Sequence, residues 1–431
     1  MKSKKLLILE KILRLMAWTV LLRHKPMIVG ITGSVGKTSA KTAVFAVLSS
    51  KFNVRENQKN YNNEIGIPLT IIGAESGEKN IFKWLLIFVK WVIALIIPRY
   101  PEILVLELGV DRPGDMAYFM SFIKPTVGVV TNISSSHIEY FGSVENIAKE
   151  KGVLIESILP EGFALLNGDD EKALAMRQNT KARVITFGKN ESNKIGASGI
   201  IFNYQNKIPQ GISFKLSFDG KNIPIRLTNI LATHQVYAAL AAVGVGTIFK
   251  MNLVEIASAL ATLKSPTGRM NLIKGINGSY LIDDTYNASP VSTVAALDVL
   301  CQLESERKIA ILGDMLELGN QSKSGHKEVA QKVFDAKIDL FVAVGSRMEK
   351  AIEHLVALGY PSEKIMQFDD TIQAVEKIDK FFREGDYVLI KGSQGMRMEK
   401  IVEKLLNNPK EAEKVLCRQS KEWLKKPFVK P

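Results

Sequence analysis

The run Thr32-Gly33-Ser34-Val35-Gly36-Lys37-Thr38-Ser39 puts glycines, a lysine and hydroxyl side chains within eight residues. An apolar run (Met27, Ile28, Val29, Ile31) precedes it, and a helix-like pattern from Ala40 to Leu48 follows. Strand, glycine-rich turn and helix is the setting that a phosphate-binding loop needs. Glycines let backbone N–H groups approach phosphate oxygens, and the new helix turns its positive end toward them. Lys37 would then reach the β- and γ-phosphates, and the Thr38 hydroxyl would ligate Mg²⁺. The first glycine of the strict G-x-x-x-x-G-K-[ST] pattern would fall on Ile31, with Gly30 and Gly33 on either side. The implied ligand is a nucleoside triphosphate, with Gly33, Ser34, Gly36, Lys37, Thr38 and Ser39 as its contacts.

Other polar residues fall at the ends of apolar runs that read as buried parallel strands. Glu107 follows the run 103–106, and Thr131, Asn132 and His137 follow 127–130. Asp283 and Asp284 follow 280–282, Gly313 and Asp314 follow 309–312, and Lys391 to Ser393 follow 387–390. Lys151 sits on a helix-like run from Val144 to Ile158. Strand C-termini are where open α/β sheets build their sites. Residues 163–166 and 184–187 continue the first series of strands. Residues 195–230 alternate instead, as in Phe214-Lys215-Leu216-Ser217-Phe218, and predict antiparallel strands at one edge. A small-residue helix is expected over Val236 to Ile248, and Pro266-Thr267-Gly268 breaks the chain before a second alternation of strands and helices. The fold class is therefore α/β: a central doubly wound sheet of the P-loop ATPase type, then a smaller Rossmann-like C-terminal α/β domain. The expected divisions are a basic apolar segment 1–26, a nucleotide-binding domain 27–266 with an apolar insertion at 79–100, a second domain 267–406, and a basic tail 407–431.

The 431 residues suffice for two or three cores. Cys301 and Cys417 are distant and sit in no metal-ligand spacing, which suits a reducing cytoplasm. The net charge of +13 is concentrated at the ends. No nucleic-acid motif or aromatic-interleaved basic stripe accompanies it, so an anionic membrane is the favoured partner. Residues 6–22 are apolar but broken by Glu10, Lys11 and Arg14, and no small-residue cleavage site follows, which argues against a signal peptide. In the stretch 81–97 the only charges are Lys83 and Lys90, on one helical stripe with Trp84 and Trp91 beside it. That pattern suits a helix lying in a membrane interface; a buried hairpin or a dimer contact is the alternative.

Taken in order, these motifs resemble the Mur ligase family, ATP-dependent amide-forming enzymes of peptidoglycan synthesis. The resemblance runs from about residue 27 to 405. It rests on Thr32 to Thr38, Asn62-Asn63-Glu64-Ile65-Gly66-Ile67-Pro68, Leu106-Glu107-Leu108-Gly109, Thr131-Asn132 with His137, and Ala148-Lys149-Glu150-Lys151-Gly152. Asn167-Gly168-Asp169-Asp170, Thr267-Gly268-Arg269, Asp283-Asp284-Thr285-Tyr286-Asn287-Ala288 and Leu312 to Gly319 extend it. Gly313-Asp314-Met315, His326 and Lys391-Gly392-Ser393 look most like the branch that adds D-alanyl-D-alanine to a muramoyl-tripeptide. The resemblance implies ATP and Mg²⁺ as cofactors and an acyl phosphate as intermediate. It implies Thr38 and Glu107 as ligands of a first Mg²⁺ and His137 of a second. Lys151 matches a lysine that the family carbamylates, and the carbamate supports a cation. Arg269 looks like an arginine that touches the ATP phosphates, and Asp284 like the ribose contact. The family's His-Asn pair near the adenine reads His234-Gln235 here.

That branch carries an N-terminal domain for the UDP-sugar, and a phosphate loop starting near residue 32 leaves no room for it. The expectation is a ligase at the cytoplasmic face of the membrane, acting on a UDP- or lipid-linked precursor peptide. Glutamate addition of the poly-γ-glutamate or folate type is a competing reading, opposed by the Gly-Asp-Met-x-Glu-Leu-Gly run. A non-catalytic membrane-docked subunit is another, opposed by Lys37, Glu107, His137 and Lys151 together.

Overall fold

The computed structural model describes residues 4–425 apart from 59–60, 78–79 and 135–137. Its first sheet holds β1 (Met27–Thr32), β2 (Val54–Glu56), β3 (Ile103–Glu107), β4 (Val127–Val130), β5 (Phe163–Asn167), β6 (Arg183–Gly188), β7 (Ile195–Gln205), β8 (Ile208–Phe218) and β9 (Lys221–Thr228). The spatial order is β2-β3-β1-β4-β5-β6-β7-β8-β9. β1, β3 and β4 are buried along nearly their whole length, so unbroken apolar runs are what each requires. β1 lies between β3 and β4, all parallel, pairing Ile31 with Glu107 and Thr32 with Val130. This register brings the loop after Thr32, the carboxylate of Glu107 and the segment after Val130 to one edge. Glu107 is the last residue of its strand, one place inside the boundary expected from the sequence.

Both faces of the sheet are covered. α2 (Lys37–Ser49) and the helix Val236–Ile248 share a core with Val29, Ile31 and Val105 on one side. On the other, Leu104 and Leu106 pack with Ile147, Leu154 and Ile155 of the helix Val144–Glu156. β7, β8 and β9 form the antiparallel edge that the alternation predicts. Phe214 and Leu216 are buried and Lys215 between them is exposed.

The second sheet holds β10 (Asn271–Lys274), β11 (Tyr280–Asp284), β12 (Arg307–Gly313), β13 (Leu340–Val344), β14 (Ile365–Phe368) and β15 (Asp386–Lys391). Its order is β10-β11-β15-β12-β13-β14, parallel except for β10 against β11. Apolar clusters on its two faces make it a second layered core.

Three helices build an outlying layer: α1 (Lys4–His24), α3 (Gly66–Ile72) and α4 (Ile81–Ile96). Asn80 caps α4 by accepting from the N–H groups of Phe82 and Lys83. The extended residue Ile97, forced by the following Pro98, ends it. α1 and α4 sit side by side over α3, with Leu13, Met16, Leu69, Ile72 and Ile87 in one small core. Trp84 and Trp91 belong to that contact, which corrects the placement of both tryptophans toward a membrane. Trp91 Nε1 donates to Thr19 Oγ1 at 2.9 Å and to the Met16 carbonyl at 3.1 Å. One hundred degrees of helical rotation separate each lysine from the tryptophan after it, so Lys83 and Lys90 stay exposed while the indoles turn inward. Among the described residues no helix is long and apolar enough to cross a membrane.

The basic tail also departs from expectation. Cys417 and Arg418 are buried, and Arg418 pairs with Glu399 at 2.9 Å. A charge held by a buried carboxylate is not a solvated one, so the tail does not behave as a uniformly basic extension. Lys426 and Lys430 lie outside the described residues.

Candidate functional site

The phosphate loop is held in shape by the segment after β4. Ser34 N–H donates to the Asn132 carbonyl at 2.8 Å, and Val35 N–H to Asn132 Oδ1 at 2.7 Å. Thr131 Oγ1 donates to the Val35 carbonyl at 2.7 Å. Gly33 has a φ of +148°, and a Cβ there would fall 2.0 Å from Thr131 Oγ1, so no other residue fits. Gly36, with φ +83°, turns the chain into α2, whose first residue is Lys37. Lys37 Nζ donates to the loop's own carbonyls, Gly33 at 2.8 Å and Ser34 at 3.2 Å. Burial lowers its pKa below the usual lysine range; Glu107 opposes that shift and Arg269 adds to it.

Glu107 is held from three sides. Asn57 accepts from its N–H at 2.8 Å and donates to its carbonyl at 3.3 Å, and Asn62 Nδ2 donates to Oε1 at 3.1 Å. Oε2 is buried and without a partner among the described residues. A carboxylate oxygen left this way is costly unless a cation or donor completes it.

Lys151 is 3% exposed, not the surface lysine that its neighbours Lys149 and Glu150 suggest. Glu150 accepts from the N–H groups of Gly114 and Met116, which ties this helix to that segment, and Lys151 is on the wall of neither cavity described below. Burial, reinforced by the charge of Lys37, lowers the Lys151 pKa to about 7, so much of its amine is neutral near neutral pH.

From the second sheet's side, Arg269 lies over the Tyr286 ring at 4.1 Å. Tyr286 N–H donates to the Gly268 carbonyl at 3.1 Å, which fixes the Thr267-Gly268-Arg269 turn against it. A cavity of about 180 Å³ is bounded by Ser34, Gly36, Lys37, Thr38, Glu107 and Arg269, bringing six of the sequence-flagged residues together. A larger one of about 840 Å³ continues past Thr38, Glu107 and Arg269 to Pro266, Tyr286 and Arg418. Gln235 and Asp284 are on the wall of neither. Gln235 is buried and donates to Ser265 Oγ at 2.8 Å; Asp284 accepts from Lys391 at 2.6 Å. His234 is half-buried next to Gln235, its pKa lowered to about 4, chiefly by desolvation, and so carries no charge at neutral pH. Ser39 lies half-buried in the first turn of α2. His137 lies outside the described residues. A more open hollow of about 1160 Å³ near the β7–β9 edge, bounded by Phe218, Lys221 and Val254, carries none of the flagged residues.

Sequence reasoning missed Asn57, Lys41 and Arg418, and quoted Tyr286 in a motif without giving it a role. Lys41 is buried in α2, donates to the Asn57 carbonyl and pairs with Glu56 at 3.4 Å, so it braces the residue that holds Glu107. A charged residue on the apolar face of a helix was the available signal. Arg418 donates to the carbonyls of Thr285 and Tyr286, and nothing in a run of tail lysines singles it out.

Two regions match known domains: residues 89–246 match the Mur ligase middle domain, and 268–394 the Mur ligase, glutamate ligase domain. The UDP-N-acetylmuramoyl-tripeptide–D-alanyl-D-alanine ligase of Bacillus subtilis is 30% identical over 388 residues, covering 89% of this chain and 76% of that one. The Escherichia coli ligase of the same name is 29% identical, covering 88% and 77%. Among solved structures, MurF from Acinetobacter baumannii superposes with a TM-score of 0.78 at 26% identity, over 93% of this chain and 81% of that one. MurF from Thermotoga maritima in complex with ADP gives 0.76 at 26% identity, over 94% and 84%. Both layered sheets are thus shared with these ligases, one of which was solved with ADP. The chain belongs to the Mur ligase family, whose members are ATP- and Mg²⁺-dependent ligases that form carbon–nitrogen bonds.

Proposed function

We propose that this chain joins D-alanyl-D-alanine to a muramoyl-tripeptide precursor of peptidoglycan. The observation that carries the reading is one cleft edged by Lys37, Thr38, Glu107 and Arg269, in a chain whose curated relatives bear that activity in their names. We assign residues 27–266 to the nucleotide-binding ligase domain and 267–406 to the C-terminal ligase domain.

The residues fit ATP and Mg²⁺. Gly33 and Gly36 give a cradle that side chains would fill, and among the described residues Lys37 bonds only within its own loop and Glu107 Oε2 lacks a partner. No cluster of three metal-ligating side chains forms among the described residues. Mg²⁺ keeps waters and phosphate oxygens and takes one or two protein carboxylates, and Glu107 places a carboxylate on the wall of the smaller cavity. When bound, the pair supplies a phosphoryl group that turns the acceptor's terminal carboxylate into an acyl phosphate. The dipeptide's amine displaces the phosphate through a tetrahedral intermediate. The amide C–N bond forms, the C–O bond to phosphate breaks, and ADP and phosphate are the by-products.

The side chains do the positioning. Lys37 exchanges its carbonyl contacts for phosphate oxygens, and the loop N–H groups hold the rest. Thr38 and Glu107 hold the cation, with His137 assigned to a second one. Arg269, stiffened on Tyr286, neutralises charge developing on the transferred group. Lys151, with a neutral amine available, takes up CO₂ as a carbamate and releases a proton; the buried anion so formed is balanced by the cation it supports. Gln235 and Asp284 are assigned to the adenine and the ribose, from behind the cavity wall. We place the enzyme in the cytoplasm, peripheral to the membrane, with a UDP- or lipid-linked acceptor.

Phosphate release by the purified chain tests this. Release that requires both the muramoyl-tripeptide and D-alanyl-D-alanine is expected. Release that requires glutamate instead would overturn the substrate assignment. Lys151→Ala is expected to lower turnover by about a thousandfold, with no rescue by bicarbonate, and normal turnover would remove the carbamate.

A further inference from the structure

α1 and α4 each bury one stripe in the core they share with α3 and leave the opposite stripe outside. On α4, Phe82, Leu85, Leu86, Phe88, Ile93 and Ile96 are 50–75% exposed. On α1, Ile8, Ile12 and Leu15 are 51–59% exposed, with Trp18 at 41%. Single exposed leucines are ordinary on a soluble protein, but two adjoining helices that both turn large apolar side chains outward form a patch that needs a partner.

Charge decides which partner. The exposed ionic residues of the two helices include Lys11, Arg23, Lys83 and Lys90. The one acid of α1, Glu10, is 7% exposed, and α4 has none. A two-fold pairing of this face with a second copy would set lysines against lysines with no acid to answer them. An anionic lipid surface answers them all. Lys83 and Lys90 flank the apolar arc of α4, where flexible stems let their ammonium groups reach headgroups while the apolar arc enters the acyl boundary. Trp18 supplies an aromatic group on the exposed stripe of α1. Neither helix can cross the bilayer, so both lie in its plane.

We propose that the outer face of α1 and α4 docks this molecule on a bilayer surface rich in anionic phospholipid. The proposal rests on the peripheral-membrane reading above and names its surface. It is tested by co-sedimenting the full chain with vesicles of phosphatidylglycerol and phosphatidylcholine, and with phosphatidylcholine alone. Binding to the mixed vesicles is expected to be at least about tenfold tighter than to the neutral ones, and weakened by salt. Two variants, Leu85→Ser with Phe88→Ser and Lys83→Glu with Lys90→Glu, should each lose about tenfold or more. Val254→Ser, which removes a 71% exposed side chain elsewhere, should bind as the unaltered protein does. Equal binding to both vesicles, or serine variants that bind normally, would overturn the proposal. So would a dimer in solution that the serine variants dissociate without changing vesicle binding. Phosphate release from soluble substrates, measured on the same samples, separates the two claims. Vesicle binding lost with turnover kept supports the docking face, and turnover absent from a protein that still binds vesicles counts against the ligase assignment alone.

Discussion

On the first sheet's side of the cleft, among the described residues, Glu107 keeps a buried oxygen without a partner and Lys37 bonds only to carbonyls of its own loop. On the second sheet's side Asp314, Ser393 and His326 are fastened within the protein. Asp314 accepts from the N–H groups of Arg347 and Met348, and Ser393 Oγ accepts from Leu316 N–H at 2.8 Å. His326 Nε2 accepts from Met315 N–H at 3.1 Å while Nδ1 contacts the Ser322 carbonyl. The conspicuous Gly-Asp-Met-x-Glu-Leu-Gly run is thus largely a set of fastenings. Groups satisfied internally hold a wall rigid. Groups with weak or missing partners can be taken over by a ligand at little loss, because few native bonds are given up.

Substitutions can break or sharpen this contrast. The largest effect is expected at Lys37→Ala: turnover falls by about a thousandfold while the thermal midpoint moves little, since only loop carbonyls lose a donor. Glu107→Gln should follow, with about a hundredfold loss of turnover and a raised Mg²⁺ requirement, read from magnesium titrations. Its stability should hold or improve, because a buried orphan charge is removed. A large loss of stability at either position would show that this wall is structural after all.

On the opposite wall the readout is stability. Asp283 is buried, Oδ1 accepts from Thr285 and Oδ2 has no partner among the described residues. Desolvation raises its pKa to about 6, against an ordinary value of 3.8. Between those values the folded state binds more protons than the unfolded one, so this residue's contribution falls as pH rises from about 4 to 6. Asp283→Asn should flatten that part of the stability-versus-pH curve, measured by urea melts, and should not destabilise near pH 7. Smallest, Ser393→Ala should cost about 1 kcal/mol by unpairing Leu316 N–H, with turnover changed only in proportion to folded protein.

The sequence carried the layered strands well. Unbroken apolar runs such as Ile103 to Leu106 have few other uses, and the alternation in β8 distinguishes an antiparallel edge from its parallel neighbours. It also carried the edge of the sheet at which Lys37, Thr38 and Glu107 meet, since strand ends fix that edge. It did not carry the direction of Trp84 and Trp91. A helix that is apolar almost all round does not reveal which stripe meets the protein until its neighbour α1 is in place. Nor did it carry Arg418, because charge counting cannot show that Glu399 is buried nearby. Asn57 was hidden for a related reason: an amide that braces another residue's backbone bears no mark of its own chemistry.

The two outer helices run side by side, and each hands its chain to one of two adjacent strands. α1 ends at His24, two residues before β1, and α4 ends shortly before β3, with Met27 opposite Ile103. Between helix and strand, His24 stacks on Tyr100 at 4.5 Å and contacts the Ala94 carbonyl at 2.7 Å, clasping both connections together. One of those strands delivers Lys37 and the other Glu107. The separation of ammonium and carboxylate along this wall of the cleft is therefore gauged partly from outside the sheet, and trimming α1 or α4 as a dispensable appendage would slacken the spacing on which turnover depends.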